Sequence, residues 1–131
     1  MICLDSTVII DFLKGREEAI NIIGIYMNDG LATTELTIFE IFAGIYLKKS
    51  ISENEVIKAT EFFNSINVLS FDKTCGEKAA RIYAFLSNSG NLIEQNDVFI
   101  SAIMIKNGCE KIITRNEKHF LKIDGIKVVR Y

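Results

Sequence analysis

Apolar positions along this chain follow two rhythms. Short apolar blocks at residues 2–4, 31–34, 67–70, 111–114 and 127–129 are too brief for helices and suit buried strands. Between them, apolar residues recur at spacings of three and four. Ala19, Ile20, Ile22, Ile23, Tyr26 and Met27 predict a helix over 16–28. The same rhythm predicts helices from Ser6 or Thr7 to about Lys14 and over 35–49, 52–65, 73–88 and 95–107, with a short helical turn over 116–121. The punctuation agrees. Gly15, Asp29-Gly30 and Gly108 close helices, and Ser89-Gly90-Asn91 is a turn. Ser52, with Glu55 three residues on, forms a capping box, and Ser6 or Thr7 is expected to cap the first helix.

Strands separated by helices require crossover connections, which are right-handed and give a parallel sheet covered on both faces. The expected fold is therefore α/β, with a central parallel β-sheet flanked by helices on both faces, in one domain spanning 1–131. Such sheets bind ligands at the carboxyl ends of their strands. Asp5 and Asn116 fall just past two predicted strand ends. There is no internal repeat, low-complexity segment or proline.

Composition narrows the function classes. Hydrophobic residues make up 49% of the 131 residues, and mean hydropathy is +0.22. Glu40, Ser101 and Lys106 nevertheless interrupt the longest apolar stretches, so none reaches the roughly 18 residues of a membrane span. Asp5 and Asp11 break the first apolar run, which does not read as a secretion leader. A cytoplasmic protein without a membrane partner is expected. Cys3, Cys75 and Cys109 are widely spaced in apolar sequence with no C-x-x-C, as buried free thiols of a reducing compartment would be; this excludes a zinc site. A net charge of −2 argues against a molecule basic over its whole surface. From Lys106 onward, Lys106, Lys111, Arg115, Lys118, Lys122, Lys127 and Arg130 outnumber Glu110, Glu117 and Asp124. That segment makes either a modest basic surface or an ordinary solvated face.

The chemistry lies in polar oxygens set inside apolar segments. A carboxylate leaves water only when something offsets its desolvation, and a hard cation is a common partner. From Leu36 to Leu47 the polar exceptions are Thr37, Glu40 and Gly44, at i, i+3 and i+7 on one face, with amphipathic Tyr46. Glu40 then points into the protein or a cleft, with Gly44 leaving room beside it; otherwise the three form the wet stripe of an amphipathic helix. Asp97 opens the apolar run Val98 to Ile105 and shares a face with Ser101, although an acid in a first helical turn also serves the helix dipole. Asp5 is a strand-end acid or a helix cap, and Asn116 is a site amide or a cap for the short turn. Arg115 can meet phosphate; Thr114 and Ser6 can orient a carboxylate or a water. Asp11, mid-helix, is expected on the solvated surface. Three carboxylates and an amide from four parts of the chain suit a hard cation and phosphate-ester chemistry.

These segments, LDSTVIIDFLKG, LTIFEIFAG, IEQNDVFISAIMI and IITRNEKHF, resemble in order and spacing the PIN domain. More narrowly, they are similar to the small VapC-type ribonuclease toxins of prokaryotic type II toxin–antitoxin systems, across essentially the whole chain. The family's acids fall on Asp5, Glu40 and Asp97. The fourth position, acidic in many PIN nucleases, is Asn116 here, which removes one negative charge. The resemblance implies an Mg2+- or Mn2+-dependent endoribonuclease in which Asp5 and Asp97 hold the metal. Glu40 holds it too or orients the attacking water, and Asn116 and Thr114 complete the outer shell. It also implies an RNA substrate, a homodimer and a cognate antitoxin. The antitoxin's tail would cross the helices after Asp5 and the helix bearing Phe39, Phe42 and Tyr46, reaching the acidic pocket with a basic side chain. Metal-free RNA cleavage commonly needs a histidine pair. His119 is the only histidine and is expected at the surface or in packing. Two other readings share the pocket: a magnesium-dependent phosphohydrolase of small substrates and a catalytically inactive PIN-like binding module. No Walker loop or G-x-G-x-x-G supports a nucleotide cofactor.

Overall fold

A computed structural model describes residues 1–131. Its strands are β1 (Ile2–Leu4), β2 (Leu31–Thr34), β3 (Asn67–Leu69), β4 (Lys111–Ile113) and β5 (Lys127–Val129). Its helices are α1 (Ser6–Leu13), α2 (Glu17–Tyr26), α3 (Glu35–Tyr46), α4 (Glu53–Ser65), α5 (Lys73–Asn88), α6 (Gln95–Lys106) and α7 (Glu117–Phe120). All five strands pair in parallel in the order β3-β2-β1-β4-β5. The chain builds β1, β2 and β3 outward in one direction, then crosses back to lay β4 and β5 on the other side of β1. The direction reverses between β1 and β4, and the crevice outside the carboxyl ends of such a pair is where open α/β sheets bind ligands. Leu4 and Ile113 are in register there, so the residues that follow them, Asp5 and Thr114, emerge side by side.

The pleat sends alternate residues into two separate cores. Ile2 and Leu4 of β1 and Ile113 of β4 pack with Val8, Ile9, Ile23, Ile41, Phe62 and Phe63 from α1 to α4 on one face. Cys3 and Ile112 point to the other face, against α5, α6 and Phe120 of α7. Both sheet faces are covered, which is why these strands read as continuous apolar blocks. Cys3, Cys75 and Cys109 are buried free thiols. No helix is long and apolar enough to cross a membrane.

Element boundaries differ from the sequence reading where local chemistry intervenes. Asp5, in extended conformation, occupies the N-cap of α1, while Ser6 and Thr7 lie inside the helix; the carboxylate makes no cap hydrogen bond because it is engaged elsewhere. The last turn of α2 tightens into a 3-10 turn over Met27–Asp29 before Gly30, whose φ of 81° requires glycine. α3 stops at Tyr46 and not at residue 49, and Lys48 instead reaches Glu55 of α4 at 2.8 Å. Ser52 caps α4, accepting from the Glu55 N–H, but the expected capping box is only half formed, because both Glu55 side-chain oxygens go to Lys48.

Candidate active site

Asp5 is placed by the first strand and held by the fourth. Its backbone N–H donates to the Ile113 carbonyl at 3.1 Å, and its side chain is almost fully buried. Two hydroxyls donate to Oδ2: Thr114 at 2.6 Å and Thr7 at 3.1 Å. Each hydroxyl also accepts from the loop between β4 and α7, Thr114 from the Asn116 N–H at 2.8 Å and Thr7 from the Arg115 N–H at 3.1 Å. Asp5 therefore ties the ends of β1 and β4 to the residues that follow. Burial pushes its pKa up, and the Thr114 and Thr7 hydroxyls, with the Ser6 and Thr7 amides, hold the shift back.

Asp97 sits in the first turn of α6, a helix buried almost all round. The hydroxyl of Ser101, the one polar side chain in its buried run, returns to the Asp97 carbonyl at 2.7 Å, so it adds nothing to the pocket. The Asp97 carboxylate is received by α7. Asn116 Nδ2 donates to Oδ2 at 3.1 Å, and His119 Nδ1 lies 2.5 Å from the same oxygen. A nitrogen that close to a carboxylate oxygen needs a hydrogen between them, so Nδ1 carries the proton and donates. The 2.9 Å between Asn116 Nδ2 and His119 Nδ1 then reflects two donors meeting on one acceptor. Asn116 occupies the N-cap position of α7, yet its side chain makes no cap hydrogen bond. Asn116 is thus the cap of α7 by position and backbone, while its side-chain amide serves Asp97. Burial raises the Asp97 pKa, the His119 hydrogen bond opposes it, and the charge of Asp5 raises it further.

Glu40 projects from α3 within electrostatic reach of both aspartates. Asn96 Nδ2 donates to its Oε1 at 3.2 Å, while Oε2 is buried without a hydrogen-bond partner. Burial raises its pKa, Ser6 and Asn96 restrain it, and the charges of Asp5 and Asp97 add to it. The three acids thus share one electrostatic field. An orphaned buried oxygen costs about 1–3 kcal/mol, more when charged. An orphan of this kind among hard carboxylate oxygens fits a divalent cation. No three Asp, Glu, His or Cys side chains converge closely enough to enclose an ion alone. The expected ligand set Asp5, Glu40 and Asp97 is therefore not assembled as a closed cage. Magnesium is commonly held by one or two carboxylates, with water and substrate phosphate completing its shell, and does not need one.

The raised acids give metal-free stability a definite pH dependence. A carboxyl whose native pKa lies above its unfolded value binds its proton more tightly when folded. Its contribution is fullest below about pH 4, the unfolded value, and is lost as pH rises through the raised native pKa values. In a chelator, the wild type is expected to lose stability relative to the triple variant D5N/E40Q/D97N as pH rises above about 4, the unfolded value. Melting curves at each pH check this, and parallel pH profiles for the two proteins would exclude it.

Other expected contributors fall elsewhere. The Arg115 side chain pairs with Asp11 at 2.9 Å and covers the Tyr131 ring at 4.7 Å, away from the carboxylates. Asp11 is not a solvated surface acid: its side chain is 15% exposed and also receives Arg16 at 3.0 Å and the Tyr131 hydroxyl at 2.9 Å. Four of the seven basic residues from Lys106 onward are paired, Lys106 with Asp72, Arg115 with Asp11, Lys127 with Glu110 and Arg130 with Glu117, as on an ordinary solvated face. On α3, Thr37 is buried and bonds to Thr34, and Gly44 opens on a groove, so 37-40-44 is not a wet stripe. That helix keeps a solvent face, but an apolar one, with Phe39 64% exposed. Thr7, Asn96 and His119 join the site without having been anticipated. Their only sequence signals are proximity to Asp5, adjacency to Asp97 and the i+3 relation of His119 to Asn116.

The sequence profile of the PIN domain family matches residues 2–126. No curated protein sequence matches the chain significantly. Among solved structures, VapBC2 from Rickettsia felis, bound to a DNA fragment from its promoter, superposes with a TM-score of 0.88 at 19% identity, covering 100% of this chain and 99% of that one. DNA-bound VapBC from Salmonella typhimurium gives 0.85 at 20% identity, covering 98% and 96%. VapBC-1 from nontypeable Haemophilus influenzae gives 0.83 at 22% identity, covering 99% and 98%. At these identities the likeness establishes the fold.

Proposed function

The chain belongs to the PIN domain family, and on that premise we propose that it is a magnesium- or manganese-dependent endoribonuclease, the toxin of a toxin–antitoxin pair. The observation that carries this reading is the division of labour at the three acids. Each has one oxygen held by donors of the chain: Asp5 by Thr7 and Thr114, Asp97 by Asn116 and His119, Glu40 by Asn96. Glu40 Oε2 is buried and makes no hydrogen bond of good geometry. Asp5 and Asp97 would hold the cation, with Glu40 joining them or orienting the attacking water. A bound divalent cation would supply Lewis-acid charge at the scissile phosphate and acidify water there. Thr7 and Thr114 fix the Asp5 carboxylate, Asn96 fixes Glu40, and the Ser6 hydroxyl faces Glu40 closely enough to favour its ionised form.

Two features of the surface support the partners in this reading. A groove of about 540 Å³ runs between α1, α3 and the start of α4, floored by Ile10, Leu13, Ile41 and Ile45. It suits an antitoxin segment that continues to the acidic pocket and presents a basic side chain there; the solved relatives are themselves VapBC complexes. The exposed Phe39, Tyr46 and Leu47 on and just after α3 suit a second copy of the chain in a cytoplasmic homodimer.

Purified protein with manganese should release fragments from RNA and leave small phosphate esters intact; the reverse preference would make it a phosphohydrolase. Calorimetric manganese binding separates an enzyme from an inactive module. Expressed alone in bacteria, the wild type should arrest growth and the Asp5→Asn form should not. Harmless high-level expression of active protein removes the toxin role.

A further inference from the structure

Asp97 receives two donors on one oxygen, and both come from the same short element. Asn116 and His119 stand at i and i+3, so the turn of α7 presents them on one side. α7 is anchored independently of them. Phe120 is completely buried in the core formed with α5 and α6, and the Asn116 N–H is fixed by Thr114. His119 is therefore brought to Asp97 by the fold, with its side chain about one quarter exposed and its Nδ1 committed to the carboxylate.

A carboxylate rotates easily about its terminal torsion, because its two oxygens are equivalent and the torsion is broad. One donor leaves that rotation largely open. Two donors meeting on Oδ2 define both the plane of the group and which oxygen stays free. We propose that His119 is a positioning residue of the cation site: through Nδ1–H, and together with Asn116, it locks the Asp97 carboxylate so that its other oxygen is offered to the pocket shared with Asp5 and Glu40. This inference rests on Asp97 holding the cation and adds a role for the chain's only histidine. The role is neither proton transfer nor direct ligation.

The contact atom makes the test specific. In His119→Asn the amide nitrogen takes the place of Nδ1, whereas in His119→Gln it takes the place of Nε2. Outer-shell partners of metal ligands commonly contribute about 10- to 100-fold in affinity. Manganese titration by calorimetry is expected to show about tenfold weaker binding for His119→Ala and His119→Gln. His119→Asn should remain within about threefold of wild type. Saturating manganese should restore most of the RNA cleavage lost in His119→Ala, because the defect lies in affinity. Wild-type manganese affinity in His119→Ala, or equal rescue by Asn and Gln, would overturn the proposal. So would a directly coordinated imidazole nitrogen in pulsed electron paramagnetic resonance of the manganese-loaded wild type, which would make His119 a ligand. A double-mutant cycle of His119→Ala with Asp97→Ala, melted without metal, reads the contact alone, and zero coupling would also overturn it. If the wild type binds no manganese, the nuclease reading fails and this inference fails with it. A coupled cycle with normal manganese binding by His119→Ala sinks this inference alone.

Discussion

Asp5→Asn, Glu40→Gln and Asp97→Asn are each expected to lower RNA cleavage about a thousandfold, near 4 kcal/mol of transition-state stabilisation, while the metal-free proteins melt at higher temperature than wild type. The two halves of this prediction have one cause. The acids are buried or half-buried, with pKa values raised by burial, and Asp97 and Glu40 are raised further by charges within the cluster. In the absence of a cation the fold bears that strain, and removing one charge relieves it. Glu40→Gln should gain most. Glu40 feels both aspartates and carries the unpartnered oxygen, so neutralising it removes the least compensated charge. Relief of about 1–2 kcal/mol corresponds to a rise of roughly 3–10 °C for a domain of this size. Cleavage assays in manganese and melts in a chelator measure the two halves separately. Wild-type cleavage by all three variants would remove the site assignment. Lower melting temperatures would mean that these acids support the fold and are not held against their electrostatics.

The elements were legible because both sheet faces are covered. β1, β2 and β5 begin and end where their apolar blocks do, and α5 runs over Lys73–Asn88 as its spacing predicts. The strand order was not legible. Strands of three or four residues carry too little alternation to specify neighbours, and the pairing of β1 with β4 joins Cys3 to Ile112 across most of the chain. The site divides in the same way. Asp5, Glu40, Asp97 and Asn116 stood out because a polar oxygen in apolar sequence is locally anomalous. Thr7, Asn96 and His119 sit among ordinary neighbours and acquire meaning only through contacts 2, 56 and 22 residues away. His119 looked ordinary because a histidine's role depends on what Nδ1 faces, which the flanking residues do not state. Asp11 misled for the opposite reason: its helical position looked solvated until Arg115 and Tyr131 arrived from the far end of the chain.

Asn116→Asp is expected to move two quantities in opposite directions. The present amide donates to Asp97 Oδ2 at 3.1 Å and so stabilises that carboxylate. The substitution removes the donor and brings a like charge close to Asp97. His119 cannot replace what is lost, because its Nδ1 has a single hydrogen already directed to Asp97. At an effective dielectric of about 20, a new charge roughly 5 Å from its neighbours is worth about 3 kcal/mol before screening, and about 1–3 kcal/mol after it. Metal-free protein should therefore melt lower than wild type at about pH 7.5. The difference should shrink toward about pH 5, as either Asp97 or the introduced carboxyl takes up a proton. With manganese the sign reverses. The pocket then offers four carboxylates in place of three, and affinity for hard cations rises with ligand charge, so calorimetry should show binding about tenfold or more tighter. Melting in excess manganese should recover the wild-type value or exceed it. If the substitution lowers metal-free stability but leaves manganese affinity unchanged, position 116 serves the orientation of Asp97 without lying in the cation's field. If neither quantity moves, the side chain at 116 has no electrostatic share in the pocket.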